Sequence, residues 1–323
     1  MKRRWQWALF VVAGLCLPAV PGINLSLLVS LLLFAGWASA WDILGGWTGQ
    51  TSLGHAAFVG VGAYAAALLG TRQNFDFFSG AQVGMLLSVA LAFIWGKLTF
   101  RLKGPYFTLS SIAVAEILRL IAVNERWLTG GAQGIFVSQL AEPFGIDLFS
   151  RTAQYYLALA FAALLLGTVQ WLSKSRLGYQ MRAVRENEAS AQAAGIDPEA
   201  VKLRAFMLSG ALCALGGGLY GVYLSFLEPH DMFLLPLSIQ IALTAIIGGR
   251  GTVWGPPLGA ALLVLSAEVF RNSFAEANLL IYGVLIVLIM LYLPQGIVGA
   301  AEQTLKRRRY QKDHSQQPEE RPA

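Results

Sequence analysis

The chain has 323 residues, of which 56% are apolar and only 13% charged, with a net charge of +6. A soluble domain covers its surface with roughly 25% charged residues, so a soluble fold of this length is excluded. Disorder, a collagen-like repeat and a secreted disulfide scaffold are excluded with it.

A mean hydropathy of +0.56 instead describes a membrane protein whose outer surface is solvated by lipid. A membrane crossing takes about 20 mostly apolar residues. Ten candidate stretches follow in chain order: residues 7–20, 24–44, 56–69, 81–95, 106–123, 154–171, 205–226, 236–247, 257–270 and 279–293. The first, third, eighth and ninth fall short of a full crossing, so they tilt, extend into their flanks or are partly re-entrant. The basic start Lys2-Arg3-Arg4 before an apolar run also has the outline of a signal peptide. No A-x-A-like cleavage site follows it, so the first stretch is expected to remain as a span. Cys16 and Cys213 both lie in apolar runs, where a free thiol behaves as a small hydrophobe. The 34 glycines suit helices that pack closely in lipid.

Charge tests the count independently. With the N-terminus inside, ten crossings collect 19 of the 24 Lys and Arg residues on one side, chiefly around 97–103, 174–204 and 306–321. Basic residues accumulate on the cytoplasmic side of membrane proteins, so both termini are expected in the cytoplasm. The basic balance reports topology, not nucleic-acid binding. The expected fold class is thus an all-α polytopic membrane protein of about ten transmembrane helices over residues 1–301. A cytoplasmic loop spans about 173–203, and a basic cytoplasmic tail over 302–323 is expected to be disordered.

One internal echo stands out. Ile43-Leu44-Gly45-Gly46 and Ile246-Ile247-Gly248-Gly249 each end an apolar run and lead through a Gly-rich, Trp-containing link into another. Such an echo suits a parallel repeat of two bundles, although Gly-Gly pairs are also common between spans.

Motifs of soluble chemistry are missing. No G-x-x-x-x-G-K-[ST] is present, so a P-loop for ATP is excluded. His55, His230 and His314 lack metal-ligand spacing; neither a metal nor a catalytic group is expected. In the loop, residues 178–194 are rich in helix formers and Gly195 is placed to end that helix. Asp197 then caps a second helix with Pro198 at its first position. A helix–turn–helix of this kind at the cytoplasmic surface can transmit force; the plainer reading is a connector held to lipid headgroups by Arg182 and Arg185.

The stretch Gly45–Tyr64 places Thr48, Gln50, Thr51, Ser52 and His55 among five glycines between two apolar runs. Polar backbone at membrane depth persists only where protein or a water-filled cavity satisfies it, so this stretch lines a path or forms a turn before a Gly/Ala packing face. Glu116 and Arg119, three apart in the fifth stretch, share a helix face. They mark either a water path or a self-neutralising pair.

Taken together these residues resemble the LivM-type permeases of branched-chain amino acid ABC importers. The resemblance is carried in order by Gly49-Gln50-Thr-Ser-Leu-Gly-His-Ala-Ala-Phe58 with Gly62-Ala-Tyr64, by Arg101-Leu-Lys-Gly-Pro-Tyr-Phe-Thr-Leu109 with Ala115-Glu116-Ile117, and by Thr129-Gly-Gly-Ala-Gln-Gly134. Arg182-Ala-Val-Arg-Glu-Asn-Glu188, Ala194-Gly195-Ile196 and Gly248-Gly-Arg-Gly-Thr-Val-Trp-Gly-Pro256 complete it.

The resemblance implies a permease in the bacterial inner membrane that moves Leu, Ile or Val. Its implied partners are a homologous second permease subunit, two cytoplasmic ATP-binding subunits and an extracytoplasmic solute-binding protein. The chain itself would bind no cofactor, ATP-Mg residing on the ATPase subunits. The loop would be the ATPase-coupling element, through Arg182, Arg185, Glu186, Glu188, Ala189 and Gly195. Here Glu188 lies seven residues before Gly195, which departs from the general importer pattern E-A-A-x-x-x-G. Gln50, Ser52, Gly54, His55 and Glu116 would line the translocation path. Related permeases serve urea and short amides. From a different class, a stand-alone channel or secondary carrier would need its own coupling charges, and a membrane-embedded enzyme a catalytic cluster.

Overall fold

The computed structural model describes residues 14, 15, 17–19, 22, 24–73, 75–102, 105–137, 147–273, 278–293 and 296–300. Most of the first expected span, Cys16 and the 302–323 tail lie outside them. Eleven helices of six or more residues carry the described fold: α1 (Leu25–Gly45), α2 (His55–Gln73), α3 (Phe77–Thr99), α4 (Pro105–Asn124), α5 (Arg151–Leu172), α6 (Arg176–Glu186), α7 (Glu188–Ala193), α8 (Pro198–Leu224), α9 (Leu235–Gly248), α10 (Gly255–Ser273) and α11 (Asn278–Tyr292). Nine of these, all but α6 and α7, coincide with the second to tenth expected spans. Among the described residues six helices are long and apolar enough to cross a membrane: α1, α3, α4, α5, α8, and α9 together with the turn before it. The chain is an all-α polytopic membrane protein.

Short side chains start these helices where the sequence places them. Asn24 accepts from the backbone of Ser26 and Leu27 ahead of α1, and Ser150 accepts from Ala153 ahead of α5. Each such bond satisfies a helix-end N–H that has no partner within the helix. At the loop, Asp197 caps α8 through Glu199 and Ala200 with Pro198 at its first turn, and Gly195 takes φ +81, a turn conformation that glycine adopts without cost. One expectation is corrected. The stretch 178–194 is not one helix: it divides at Asn187, whose extended backbone ends α6 and whose carboxamide caps α7 through the Ser190 N–H at 2.9 Å. An Asn side chain competes with the helix ladder for backbone donors, and here it wins.

Two helices form the axis. α1 packs against α5, α8, α9 and α10, while α8 also packs against α2 and α3. Trp37 and Trp41 on α1 are wholly buried. Trp37 donates from its indole to the Cys213 carbonyl (3.2 Å) and Trp41 to the Ser52 carbonyl (2.7 Å). Phe58, Trp95 and Phe206 close the junction of α2, α3 and α8, with ring centroids 5.1–5.5 Å apart.

The backbones of α2 and α8 touch through glycines. A Cβ on Gly62 would stand 2.0 Å from the Ala214 carbonyl oxygen, and one on Gly217 would stand 2.1 Å from that of Val59. Gly217→Val is therefore expected to force the helices apart and to lower stability by about 1–3 kcal/mol, the usual range for overpacking. Gly218→Ala, whose added carbon meets only ordinary contacts from 3.5 Å, should be tolerated. Thermal melts of the two purified variants in detergent would check this contrast.

At the opposite end from the α6–α7 loop, the link before residue 137 pairs antiparallel with the link after α8. Ile135 lies opposite Leu227 and Phe136 opposite Phe226. α4 is the least covered of the six span-length helices, with 22% of its apolar window buried against 72% for α1 and α8.

Candidate functional site

The loop helices α6 and α7 dock on the bundle by one face. Met181, Val184 and Ala191 are buried, whereas Glu186, Ala189, Gln192, Ala194 and Gly195 are exposed. Arg182 reaches back to the Ser173 carbonyl (2.9 Å) and lies over the rings of Trp47 (5.4 Å) and Tyr179 (4.7 Å). It is thus held by protein, which the lipid-headgroup reading did not anticipate.

Arg185 makes the contact that matters most for the architecture. Its Nη1 donates to the Gly46 carbonyl at 2.6 Å. Gly46 follows α1, and four residues earlier Asp42 sits fully buried. The Asp42 carboxylate accepts the Gly251 N–H on both oxygens, at 2.9 and 3.0 Å. Its backbone carbonyl accepts the N–H groups of Gly46 and Trp47. The guanidinium groups of Arg185 and Arg250 both act electrostatically on this carboxylate. The two Gly-Gly links that echo each other in the sequence therefore meet at Asp42, and the loop helix closes over the junction.

A second tie lies beside it. Lys202 on α8 is 4% exposed, and its ammonium pairs with Glu188 at the start of α7. Glu188 also accepts from the Gln50 amide at 3.3 Å. Gln50, expected along the path, thus stands at the loop together with Arg182, Arg185 and Glu188. Asp42 and Lys202 were missed by sequence reasoning. Asp42 lies within an apolar run where it should have been read as a costly embedded charge; nothing in the spacing pointed to Lys202.

Ser52 and His55 form a separate, fully enclosed network. His55 Nε2 lies 2.8 Å from Ser209 Oγ, and Nδ1 lies 3.1 Å from Ser52 Oγ. Ser209 spends its only proton on the Ala40 carbonyl (2.6 Å). The bonding therefore assigns the His55 proton to Nε2, which donates to Ser209, and leaves Nδ1 to accept from Ser52. This network pins α1, the Gly-rich link and α8 together. The link also rests on the inner face of α4: Thr108 donates to the Thr51 carbonyl and Ser111 accepts the Leu53 N–H, both at 2.8 Å. Gly54 is in the same seam, where a Cβ would stand 2.5 Å from the Ser111 carbonyl oxygen.

Glu116 is not gathered with these residues. It faces outward on α4, half exposed, with Arg119 Nε and Nη2 donating to its two oxygens at 2.8 and 2.6 Å. The five residues read as one path thus occupy three places: Gln50 at the loop, Ser52, Gly54 and His55 in the interior seam, and Glu116 on an open helix face.

The fold and this site define a helical membrane protein with a two-helix loop clamped onto the ends of its central helices. The sequence profile of the family described as branched-chain amino acid transport system / permease component matches residues 23–290, and the chain belongs to that family. Among its relatives is the high-affinity branched-chain amino acid transport system permease protein LivM of Escherichia coli, 31% identical over 291 residues that cover 82% of this chain and 67% of that one. The permease protein LivH of the same system in Escherichia coli is 23% identical, over 84% of this chain and 91% of the other. A probable branched-chain amino acid transport permease protein LivM from Methanocaldococcus jannaschii is 23% identical, over 67% of each. No solved structure matches the chain.

Proposed function

We propose that the chain is the permease subunit of an ABC importer for branched-chain amino acids in the bacterial inner membrane. It crosses about ten times, with both termini in the cytoplasm. A homologous second permease, two ATP-binding subunits and an extracytoplasmic solute-binding protein complete the complex, and ATP-Mg is bound only by the ATPases. The observation that carries this reading is the two-faced loop. One face of α6–α7 is clamped to α1 through Arg185 and to α8 through Glu188–Lys202. The other presents Glu186, Ala189 and Gly195 to the exterior, as a docking surface for an ATPase requires.

From that surface the contacts run without a break: Arg185 to Gly46, Gln50 to Glu188, and the link of residues 46–54 to α4 through Thr108 and Ser111. Movement of the loop on ATP binding would reach α4 by this route. Glu116, half exposed on the same helix, is paired there with the more covered Arg119. Ionisable groups on a spanning helix are costly against lipid and usually face a bundle interior or a water path. We therefore set the translocation path along α4, at its boundary with the second permease. Ser52, Gly54 and His55 support it from behind.

Radiolabelled leucine uptake and ATP hydrolysis by the co-encoded complex in proteoliposomes test this reading. Leucine should enter only with ATP and binding protein. Glu186→Ala/Ala189→Arg, placed on the exposed face alone, should lower uptake at least tenfold without unfolding the chain. ATP-dependent entry of urea in place of leucine would correct the substrate. Solute movement by this chain without the ATPases would overturn the reading in favour of a carrier.

A further inference from the structure

A cavity of about 240 Å³ opens at the end of the bundle where α1 begins, α8 ends, α9 begins and α10 ends, the end opposite the Asp42 junction. Its size is below that of a drug-sized site and suits a compact metabolite. At its rim Arg271 Nη2 donates to Glu268 at 2.5 Å, so among the described residues the guanidinium uses one of its five N–H donors on that carboxylate. The cavity is also lined by Ser30 and Tyr223, whose hydroxyls stand 3.2 Å apart, and by Gln240 and Phe34. A guanidinium and a carboxylate side by side, in one cavity with neutral donors and acceptors and an aromatic ring, complement a molecule carrying both charges and an apolar tail.

A second cavity shows the contrast. It measures about 210 Å³ between α1, α5 and α10 and is lined by residues such as Leu31, Leu166, Trp254, Pro257 and Leu258, a lining suited to an acyl chain and not to a charged group.

We infer that the polar cavity is a binding site for a free amino acid with an apolar side chain. The ligand's carboxylate meets Arg271, its ammonium meets Glu268, and its side chain lies against Phe34. Under the topology proposed above, on which this inference rests, the site opens to the extracytoplasmic side. It would receive substrate before the path along α4. A phospholipid headgroup carries the same pair of charges, so the test separates the two sources.

The assembled complex, with Cys16→Ser, Cys213→Ala and Ser30→Cys in this chain, is placed in nanodiscs of phosphatidylglycerol and alkylated with N-ethylmaleimide. L-Leucine is expected to slow alkylation at least fivefold, while leucinol, which lacks the carboxylate, and 4-methylpentanoate, which lacks the ammonium, leave it unchanged. Arg271→Ala or Glu268→Gln should each remove the protection. A second reporter, Val264→Cys, on α10 in the same cavity, guards against disturbance by the first. Absence of protection at both reporters in a complex that still imports leucine would overturn the site while leaving the importer reading intact. Protection by leucine in a complex that imports no leucine would keep the site and overturn that reading. Protection conferred by phosphatidylethanolamine and indifferent to leucine would assign the cavity to lipid and overturn the inference.

Discussion

Asp42→Ala is expected to lower leucine uptake by the assembled complex more than tenfold while leaving most of its ATP hydrolysis. The carboxylate is the only side chain that accepts the Gly251 N–H among the described residues, and it does so with both oxygens. Removing it frees the link after α9 from the end of α1. It also leaves a backbone donor in a half-buried turn without its partner. Hydrogen bonds to charged groups are worth about 1.5–3 kcal/mol, so stability should fall by a comparable amount. Asp42→Asn keeps one oxygen to accept from Gly251 and should recover part of both losses. The ratio of leucine moved to ATP hydrolysed is the decisive readout, because a purely structural role would depress the two together. Uptake within twofold of the native chain in Asp42→Ala would remove this junction from the coupling route.

The second large effect concerns Lys202. Glu188→Ala should destabilise the chain more than Lys202→Met does, although Glu188 is the more exposed partner. The reason is desolvation: Lys202 is nearly enclosed, and a buried ammonium left without its carboxylate costs roughly 3–5 kcal/mol. The upper end is not expected here, since the Glu188 side chain is 44% exposed and water screens the pair. Met matches the stem of Lys and carries no charge, so Glu188→Ala/Lys202→Met should regain most of the stability lost in Glu188→Ala. A double-mutant cycle of thermal melts gives the pair its interaction energy. Rescue of stability without rescue of uptake would mean that Glu188 serves coupling through Gln50 as well as anchoring α7.

Both effects arise at places the sequence marked only in part. The loop was legible: helix formers, Gly195 and Asp197-Pro198 specify a turn and a cap through local backbone chemistry, and these lie where the spacing put them. The division at Asn187 was not legible, because an Asn within a run of helix formers is decided by whether its side chain finds a backbone donor. The grouping of Gln50, Ser52, Gly54, His55 and Glu116 followed their closeness along the chain or to a family motif. In three dimensions the irregular link of residues 46–54 turns neighbouring side chains to different partners, and Glu116 belongs to another helix. Gln50 therefore meets Glu188, His55 meets Ser209 and Glu116 faces outward.

By itself the sequence determined that this protein lives in a membrane as a set of helices, and it determined where most of them begin and end. Apolar content and capping act over a few residues at a time, so a single chain displays them openly. The tertiary structure alone decided that Asp42 meets Gly251 across 209 positions, that Arg185 closes over the link after α1, that Lys202 answers Glu188, and that protein rather than a lipid headgroup holds Arg182. Those contacts depend on which helix faces which. In lipid that is settled by close packing of small residues such as Gly62 and Gly217, a property of surfaces in contact that no linear pattern records.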